Sequence, residues 1–199
     1  MPSAAIEQII GTFRANREKF EAFARSLGAE EMARPVPNST WQVKDFISHL
    51  ATLDTESVRW FEALAKGAKD PTEHEDGTQF DIDEFNDKIV AERRERTVDQ
   101  IFAEAEENRE RLLKALGQLT DEQVERVVHF RGDSKRDPTD VKFKVFLFGL
   151  ARHDPVHVAD MLKALPERAE APEMQAWLDD PAVKWYQNAM SGPARSEKR

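Results

Sequence analysis

Apolar residues recur along most of this chain at spacings of three, four and seven, and this period constrains the fold more than any other feature. Such spacings place side chains on one face of an α-helix, because the helix turns once every 3.6 residues. Glycine, which weakens helices, is scarce at eight of 199 residues. The first apolar series consists of Ile6, Ile9, Ile10, Phe13, Phe20, Phe23 and Leu27. We therefore predict an all-α protein that begins with an amphipathic helix over residues 3–27, which Gly28 would end.

Three further stretches of the same kind follow, and together with the first they predict a four-helix bundle. The sequence "STWQ" reads as a capping box, with Ser39 as the N-cap residue and Gln42 three positions later, and favours a helix start there. A second capping box over Thr97–Gln100 predicts a break within the third helix. We expect these three helices over residues 40–66, 81–116 and 139–165.

The chain divides into three parts. Residues 1–165 hold the four predicted helices and form the bundle. Residues 166–190 begin with a proline and carry Trp177 and Trp185, so we predict a short helical C-terminal extension that packs back onto the bundle. Residues 191–199 are polar and charged, and we predict a disordered tail.

The charge distribution excludes several classes of partner. The net charge is −9, and lysine and arginine are interleaved with acidic residues, so we expect no nucleic-acid partner. No run of 18 apolar residues exists, and we expect no membrane span. The first ten residues lack the basic region and long apolar core of a secretory signal, which favours a cytoplasmic protein.

Cysteine is absent, which removes disulfides, thiolate metal ligands and a cysteine nucleophile from consideration. The chain also lacks a glycine-rich phosphate loop and the G-x-S-x-G sequence of serine hydrolases. We therefore expect no bound nucleotide cofactor. Any metal ion would have to bind histidine, carboxylate or backbone oxygen.

Two of the five histidines, His153 and His157, are four residues apart. One helical turn rises about 5.4 Å, so both imidazoles could bind one ion. His49 borders the apolar face of the predicted second helix and is the candidate for a third ligand. Three neutral histidines would leave a coordination position open, as in catalytic metal sites. Imidazole ligands are compatible with zinc, nickel or iron and do not distinguish among them.

Other interpretations of these histidines stay open. A histidine pair at this spacing occurs by chance in many helices, and a histidine beside an apolar face is commonly a hydrogen-bonded core residue. Pro155 lies between the pair, so either the helix is kinked there or it restarts with Asp154 as the N-cap and Pro155 at the first helical position. Because Pro155 has no N–H, we also predict a free carbonyl at Ala151.

Three segments of the chain resemble the DinB/YfiT-like superfamily of metalloenzymes, which includes the metal-binding domain of mycothiol-dependent maleylpyruvate isomerase. In that family a tryptophan opens the second helix and a histidine follows eight residues later. Some branches carry a Phe-Asn pair in the third helix, and the fourth helix contains H-x-x-x-H. The three segments are "STWQVKDFISHLATLD" (39–54), "FDIDEFNDKIVAERR" (80–94) and "ARHDPVHVADML" (151–162). The corresponding residues are Trp41, His49, Phe85, Asn86, His153 and His157.

The resemblance implies a four-helix bundle with a divalent metal ion bound by His49, His153 and His157 at one end. It also links the chain to low-molecular-weight thiol transfer, isomerisation and hydrolysis. We favour a thiol-dependent transferase or isomerase that acts on a small molecule. A metal-dependent hydrolase and a non-catalytic bundle for small-molecule binding or stress protection remain alternatives, and the C-terminal extension could mediate a homodimer.

Several polar residues could support such a site. Asp45, Asp154 and Asp160 are each close enough in sequence to one histidine to orient its imidazole, although an exposed helix-surface position is the simpler interpretation of each. Asn86 could bind a substrate carbonyl or a metal-bound water. Asp154 could act as a general base, because the sequence H-D-x-x-H resembles the H-E-x-x-H of zinc proteases. Asn86 and Asp154 are therefore the catalytic candidates.

Overall fold

A computed structural model describes residues 3–74, 76–78, 80–132 and 137–190, without the side chains of 189 and 190. The predicted disordered tail, residues 191–199, lies outside the described residues. Within the described part, no helix is both long enough and apolar enough to cross a membrane.

The described residues form helices almost throughout, with one short pair of antiparallel strands. The strands are β1 (Val127–Phe130) and β2 (Thr139–Lys142). The helices are α1 (Ala4–Arg25), α2 (Ala29–Met32), α3 (Val43–Thr52), α4 (Asp54–Ala65), α5 (Ile82–Arg93), α6 (Val98–Gly117), α7 (Asp121–Glu125), α8 (Phe143–Leu150), α9 (His153–Leu162), α10 (Pro166–Ala169), α11 (Pro172–Leu178) and α12 (Pro181–Met190).

The long helices form a bundle whose four positions are α1, the pair α3 and α4, the pair α5 and α6, and the pair α8 and α9. Helix α6 packs against α1, α3 and α4, and α9 packs against α1 and α3. The prediction of an all-α helical bundle with a helical C-terminal extension is confirmed. The division of the chain at residue 165 stays a prediction.

The core has two clusters of buried apolar side chains. The first surrounds the segments of α3 and α9 that carry the histidines and includes Phe46, Leu50, Val158 and Met161. The second lies around α4, the C-terminal half of α6 and α8. The histidines of α3 and α9 therefore lie on helices whose apolar faces are packed in the core, which limits how far these side chains can move.

The capping box predicted at Ser39 is wrong, whereas the one at Thr97 is confirmed. Helix α3 begins at Val43, and its Asp45 carboxylate accepts the Gln42 N–H at 2.9 Å. Residues 34–43 instead form an isolated bridge, in which the Val36 N–H donates to the Trp41 carbonyl at 2.9 Å. This pairing holds the backbone extended, so Trp41 lies before the helix.

The prediction that the fourth helix begins near Thr139 is also wrong. Val128 of β1 pairs with Val141 of β2, and β-branched residues favour such extended pairing. Four-residue strands are too short to display a clear alternation in sequence. Helix α8 starts only at Phe143, whose N–H donates to the Arg126 carbonyl at 2.8 Å.

The fourth bundle position is interrupted at Ala151 and Arg152. Helix α9 then begins at His153, which makes Pro155 its third residue. A proline is tolerated in this first turn, but it leaves the carbonyl of Ala151, four residues earlier, without a donor from its own helix. Of the two alternatives, the helix restarts, but Arg152 rather than Asp154 is the N-cap residue.

Candidate metal centre

Helices α3 and α9 bring His49, His153 and His157 together. One ring nitrogen from each histidine lies within 4.8 Å of the others. The Nε2 atoms of His153 and His157 are 3.1 Å apart. The ring of His49 is centred 5.2 Å from that of His153 and 5.1 Å from that of His157. Three imidazoles from two helices therefore converge on one point, as the spacing of four and the resemblance predict.

The donor set fits a first-row divalent metal. A tetrahedral ion with bonds of about 2.0–2.1 Å holds two nitrogen ligands about 3.4 Å apart. His153 and His157 are already near that separation, and a ring nitrogen of His49 lies within 4.8 Å of theirs. Three imidazoles would leave a fourth position for water or substrate.

Two of the three histidines are buried, and burial disfavours protonation of His49. His49 is 3% exposed and His153 is 8% exposed. Burial, and then the charge of His157, hold the pKa of His49 well below its usual 6.5, with a small opposing effect from Asn86. A neutral imidazole keeps a free lone pair, which metal binding requires.

Asp160 lies beside His157, one turn further along α9. Its Oδ2 is 3.2 Å from His157 Nδ1, and its Oδ1 accepts from Lys163 at 2.6 Å. Burial opposes ionisation of this carboxyl group, but the hydrogen bonds from His157 and Lys163 outweigh it and lower its pKa. Asp160 can therefore fix the His157 ring with Nε2 facing the other histidines.

Asn86 of α5 approaches the cluster from the other side. Its Oδ1 and the Nδ1 of His49 are both buried, and neither has a close hydrogen-bond partner among the residues that the structure describes. The amide interacts with His49 and works to raise the pKa of that imidazole. The structure thus places this catalytic candidate next to a proposed metal ligand.

The other catalytic candidate, Asp154, is engaged elsewhere. It is buried, and its Oδ2 is 3.2 Å from Nε of Arg17. Arg17 also donates to the Leu50 carbonyl at 2.8 Å. Adjacent helical residues point in directions about 100° apart, so Asp154 cannot share the orientation of His153. Asp45 is likewise absent from the cluster, because it caps α3.

Two aromatic side chains lie beside the cluster. The ring of Trp41 is centred 5.3 Å from His49, and that of Phe46 lies 5.6 Å from His157. Trp41 is among the residues that carry the family resemblance, and its ring contacts the candidate site.

Two buried polar residues of α1 were not predicted from the sequence. Asn16 and Arg17 fall on the core face of α1, between Phe13 and Phe20, and both are buried. Polar residues at core positions of an otherwise apolar helical face are the signal that could have found them.

The fold and its histidine cluster define a class, the DinB-like helical bundles. Within it, the chain belongs to the mycothiol maleylpyruvate isomerase N-terminal domain family, whose model matches residues 13–141. The matched range contains His49 and Asn86 and ends before α9.

Two solved structures share this fold. The mycothiol-dependent maleylpyruvate isomerase is 14% identical, with a TM-score of 0.59, and the match covers 87% of this chain and 67% of the isomerase. A histidine-to-alanine variant of the isomerase is 11% identical, with a TM-score of 0.57, and the match covers 78% of this chain and 60% of the variant. The chain thus spans about two thirds or less of each neighbour. No curated protein sequence matches it.

Proposed function

We propose that this protein is a divalent-metal-dependent enzyme that uses a low-molecular-weight thiol to transfer or isomerise a small substrate. The observation that carries the proposal is the convergence of three imidazoles in the helical bundle, with one ring nitrogen from each within 4.8 Å of the others. Membership of a family named for a thiol-dependent isomerase supports the choice of thiol chemistry.

Different residues of the chain would bind the ion, orient its ligands and exclude water. His49, His153 and His157 would hold the ion, and Asp160 would orient His157. Trp41 and Phe46 would exclude water from the histidine cluster. When bound, a divalent ion lowers the pKa of a thiol or water in its open position, which supplies a nucleophile at neutral pH. Zinc, nickel and iron all suit this donor set.

The two solved neighbours are named as mycothiol-dependent isomerases, and a thiol is the part of that chemistry that we extend to this chain. A thiolate is a soft ligand that first-row metals bind readily. Because the isomerase is longer than this chain, we do not assign the substrate that would receive the thiol.

Titration of small thiols into the cobalt-loaded protein tests this function. We expect a sulfur-to-cobalt charge-transfer absorption that saturates at one thiol per chain, because a thiolate would fill the open position. A His129→Ala variant should behave like the wild type, since His129 lies on β1 and pairs with Asp140. Cobalt binding without any spectral response to thiols would contradict thiol chemistry and favour the hydrolase alternative.

The homodimer stays a proposal as well. Phe148 and Trp185 are 37% and 45% exposed, and their rings are centred 5.5 Å apart on the outer surface of α8 and α12. Aromatic residues are enriched at protein–protein interfaces. Light scattering should give twice the mass of one chain, and a Trp185→Ser variant should give the monomer mass.

A further inference from the structure

Asn16 makes two long-range hydrogen bonds at the interruption before α9. Its Nδ2 donates to the Ala151 carbonyl at 2.7 Å. Its Oδ1 accepts from Nε1 of Trp177, on α11, at 2.9 Å. The side chain is buried, so both bonds are shielded from water. One amide therefore joins the first helix, the start of the histidine-bearing helix and the C-terminal extension.

The Ala151 carbonyl needs this donor because of Pro155. In an uninterrupted helix that carbonyl would accept from the N–H of the residue four positions later. Pro155 has no N–H, and Ala151 is buried, so water cannot substitute. The sequence prediction of a free carbonyl is therefore wrong, because a residue 135 positions away satisfies it.

The two partners also fix which way the amide faces. An indole N–H only donates, and a carbonyl oxygen only accepts. The Asn16 oxygen must then face Trp177, and its nitrogen must face Ala151. This assignment follows from the chemistry of the partners, so it does not depend on telling oxygen from nitrogen in the amide.

Asn16 and its neighbour Arg17 hold the chain on both sides of His153. Asn16 binds residue 151, and Arg17 binds the carboxylate of residue 154. His153 is the first residue of α9, and His157 follows one turn later on the same face. The direction in which α9 leaves the interruption therefore sets where both imidazoles lie relative to His49.

We propose that Asn16 is a positioning residue for the three-histidine cluster, where it replaces the hydrogen bond that Pro155 cannot donate, and that Trp177 holds its amide in place. This inference rests on the proposed metal site. It also gives the C-terminal extension a role, because α11 supplies the indole that keeps Asn16 oriented.

A double-mutant cycle between Asn16→Ala and Pro155→Ala tests the inference. We expect Asn16→Ala to weaken cobalt binding about tenfold, the low end of the effect of losing a direct partner of a metal ligand, because Asn16 acts through the backbone before His153. Alanine at position 155 restores an N–H for the Ala151 carbonyl, so the double variant should regain most of the affinity. The cobalt absorption spectrum should change in Asn16→Ala and return in the double variant.

A matched control is Asn108→Ala, because the Asn108 amide donates only to a carbonyl of its own helix, at 3.5 Å. It should bind cobalt like the wild type. If Asn16→Ala fails to fold, Asn16→Asp replaces it in the cycle. Aspartate keeps the size of asparagine and the acceptor for Trp177 but loses the donor. Unchanged affinity in either Asn16 variant, or losses that simply add in the double variant, would overturn the inference.

The metal-free protein separates this failure from failure of the proposed function. In the absence of metal, the imidazole NMR signals of His153 and His157 should shift in Asn16→Ala and return in the double variant. A wild type that binds no cobalt but shows this pattern refutes the metal site and retains the positioning role. A wild type that binds cobalt without this pattern refutes the positioning role alone.

Discussion

At the scale of single residues, the candidate site contains a buried imidazole whose surroundings disfavour protonation. Burial, and then the charge of His157, lower the pKa of His49. The groups around it are the other two histidines, the Asn86 amide and the Trp41 ring. None of them is an acid that would favour the imidazolium form.

The lowered pKa of His49 predicts a pH dependence of folding. Below the usual value of 6.5, the unfolded chain binds a proton that native His49 refuses. The metal-free protein should therefore lose stability as the pH falls below 6.5, by at most about 1.36 kcal/mol per pH unit from this residue. The free energy of unfolding of His49→Gln, measured with urea across this pH range, should fall less steeply with decreasing pH than that of the wild type. Equal slopes in both proteins would contradict the assignment.

The sequence could predict the three histidines but not the residues that support them. Four-residue spacing on a helix is local geometry, and the family resemblance adds His49. Asp160 follows by the same local logic. Asn16 meets partners 135 and 161 positions away, and nothing local to it indicates which backbone carbonyl will lack a donor.

At the scale of secondary-structure elements, helix starts were predicted well where the signal is a side-chain cap and poorly where tertiary contacts intervene. Thr97 caps α6 as predicted, and its hydroxyl accepts from the backbone N–H of Gln100 at 3.2 Å. Ser39 fails as a cap because the bridge between Pro35 and Gln42 keeps its segment extended. Local sequence cannot report such pairing.

The interface of α1 with α9 depends on a buried ion pair, and it yields a prediction. Asp154→Asn should lower the free energy of unfolding by about 3 kcal/mol, because Arg17 would lose its nearest carboxylate inside the protein. Urea unfolding of the metal-free protein measures this. Glu167→Gln, which removes the exposed partner of Arg34, is the control and should change stability far less, because solvent screens exposed ion pairs. Similar effects of the two substitutions would contradict a structural role for the buried pair.

At the scale of the whole molecule, the C-terminal extension closes over α8 and α9. Trp177 is buried, and Arg168 of α10 binds Glu31 of α2 at 2.7 Å. This ion pair and a backbone hydrogen bond from Gly28 lower the pKa of Glu31 to about 2. The sequence predicted that the extension packs back on the bundle, but which surface it covers depends on contacts between distant residues.

Gly149 tests this closure. A Cβ atom at this position would lie 2.5 Å from the ring of Tyr186, so α12 packs closely against α8 only because residue 149 has no side chain. Gly149→Ala should displace α12. Relative to the wild type, hydrogen–deuterium exchange in the variant should become faster in α12, and the increase should exceed any change in α1. Equal exchange in α12 of the variant and the wild type would show that the contact is dispensable.

The central claim is that His49, His153 and His157 together bind one divalent ion. Elemental analysis of untagged protein after equilibrium dialysis against zinc tests it most directly. We expect one ion per chain in the wild type and in His74→Ala, and none in the double variant His153→Ala/His157→Ala. A double variant that retains the ion, or a wild type without one, would show that these histidines do not form the metal site.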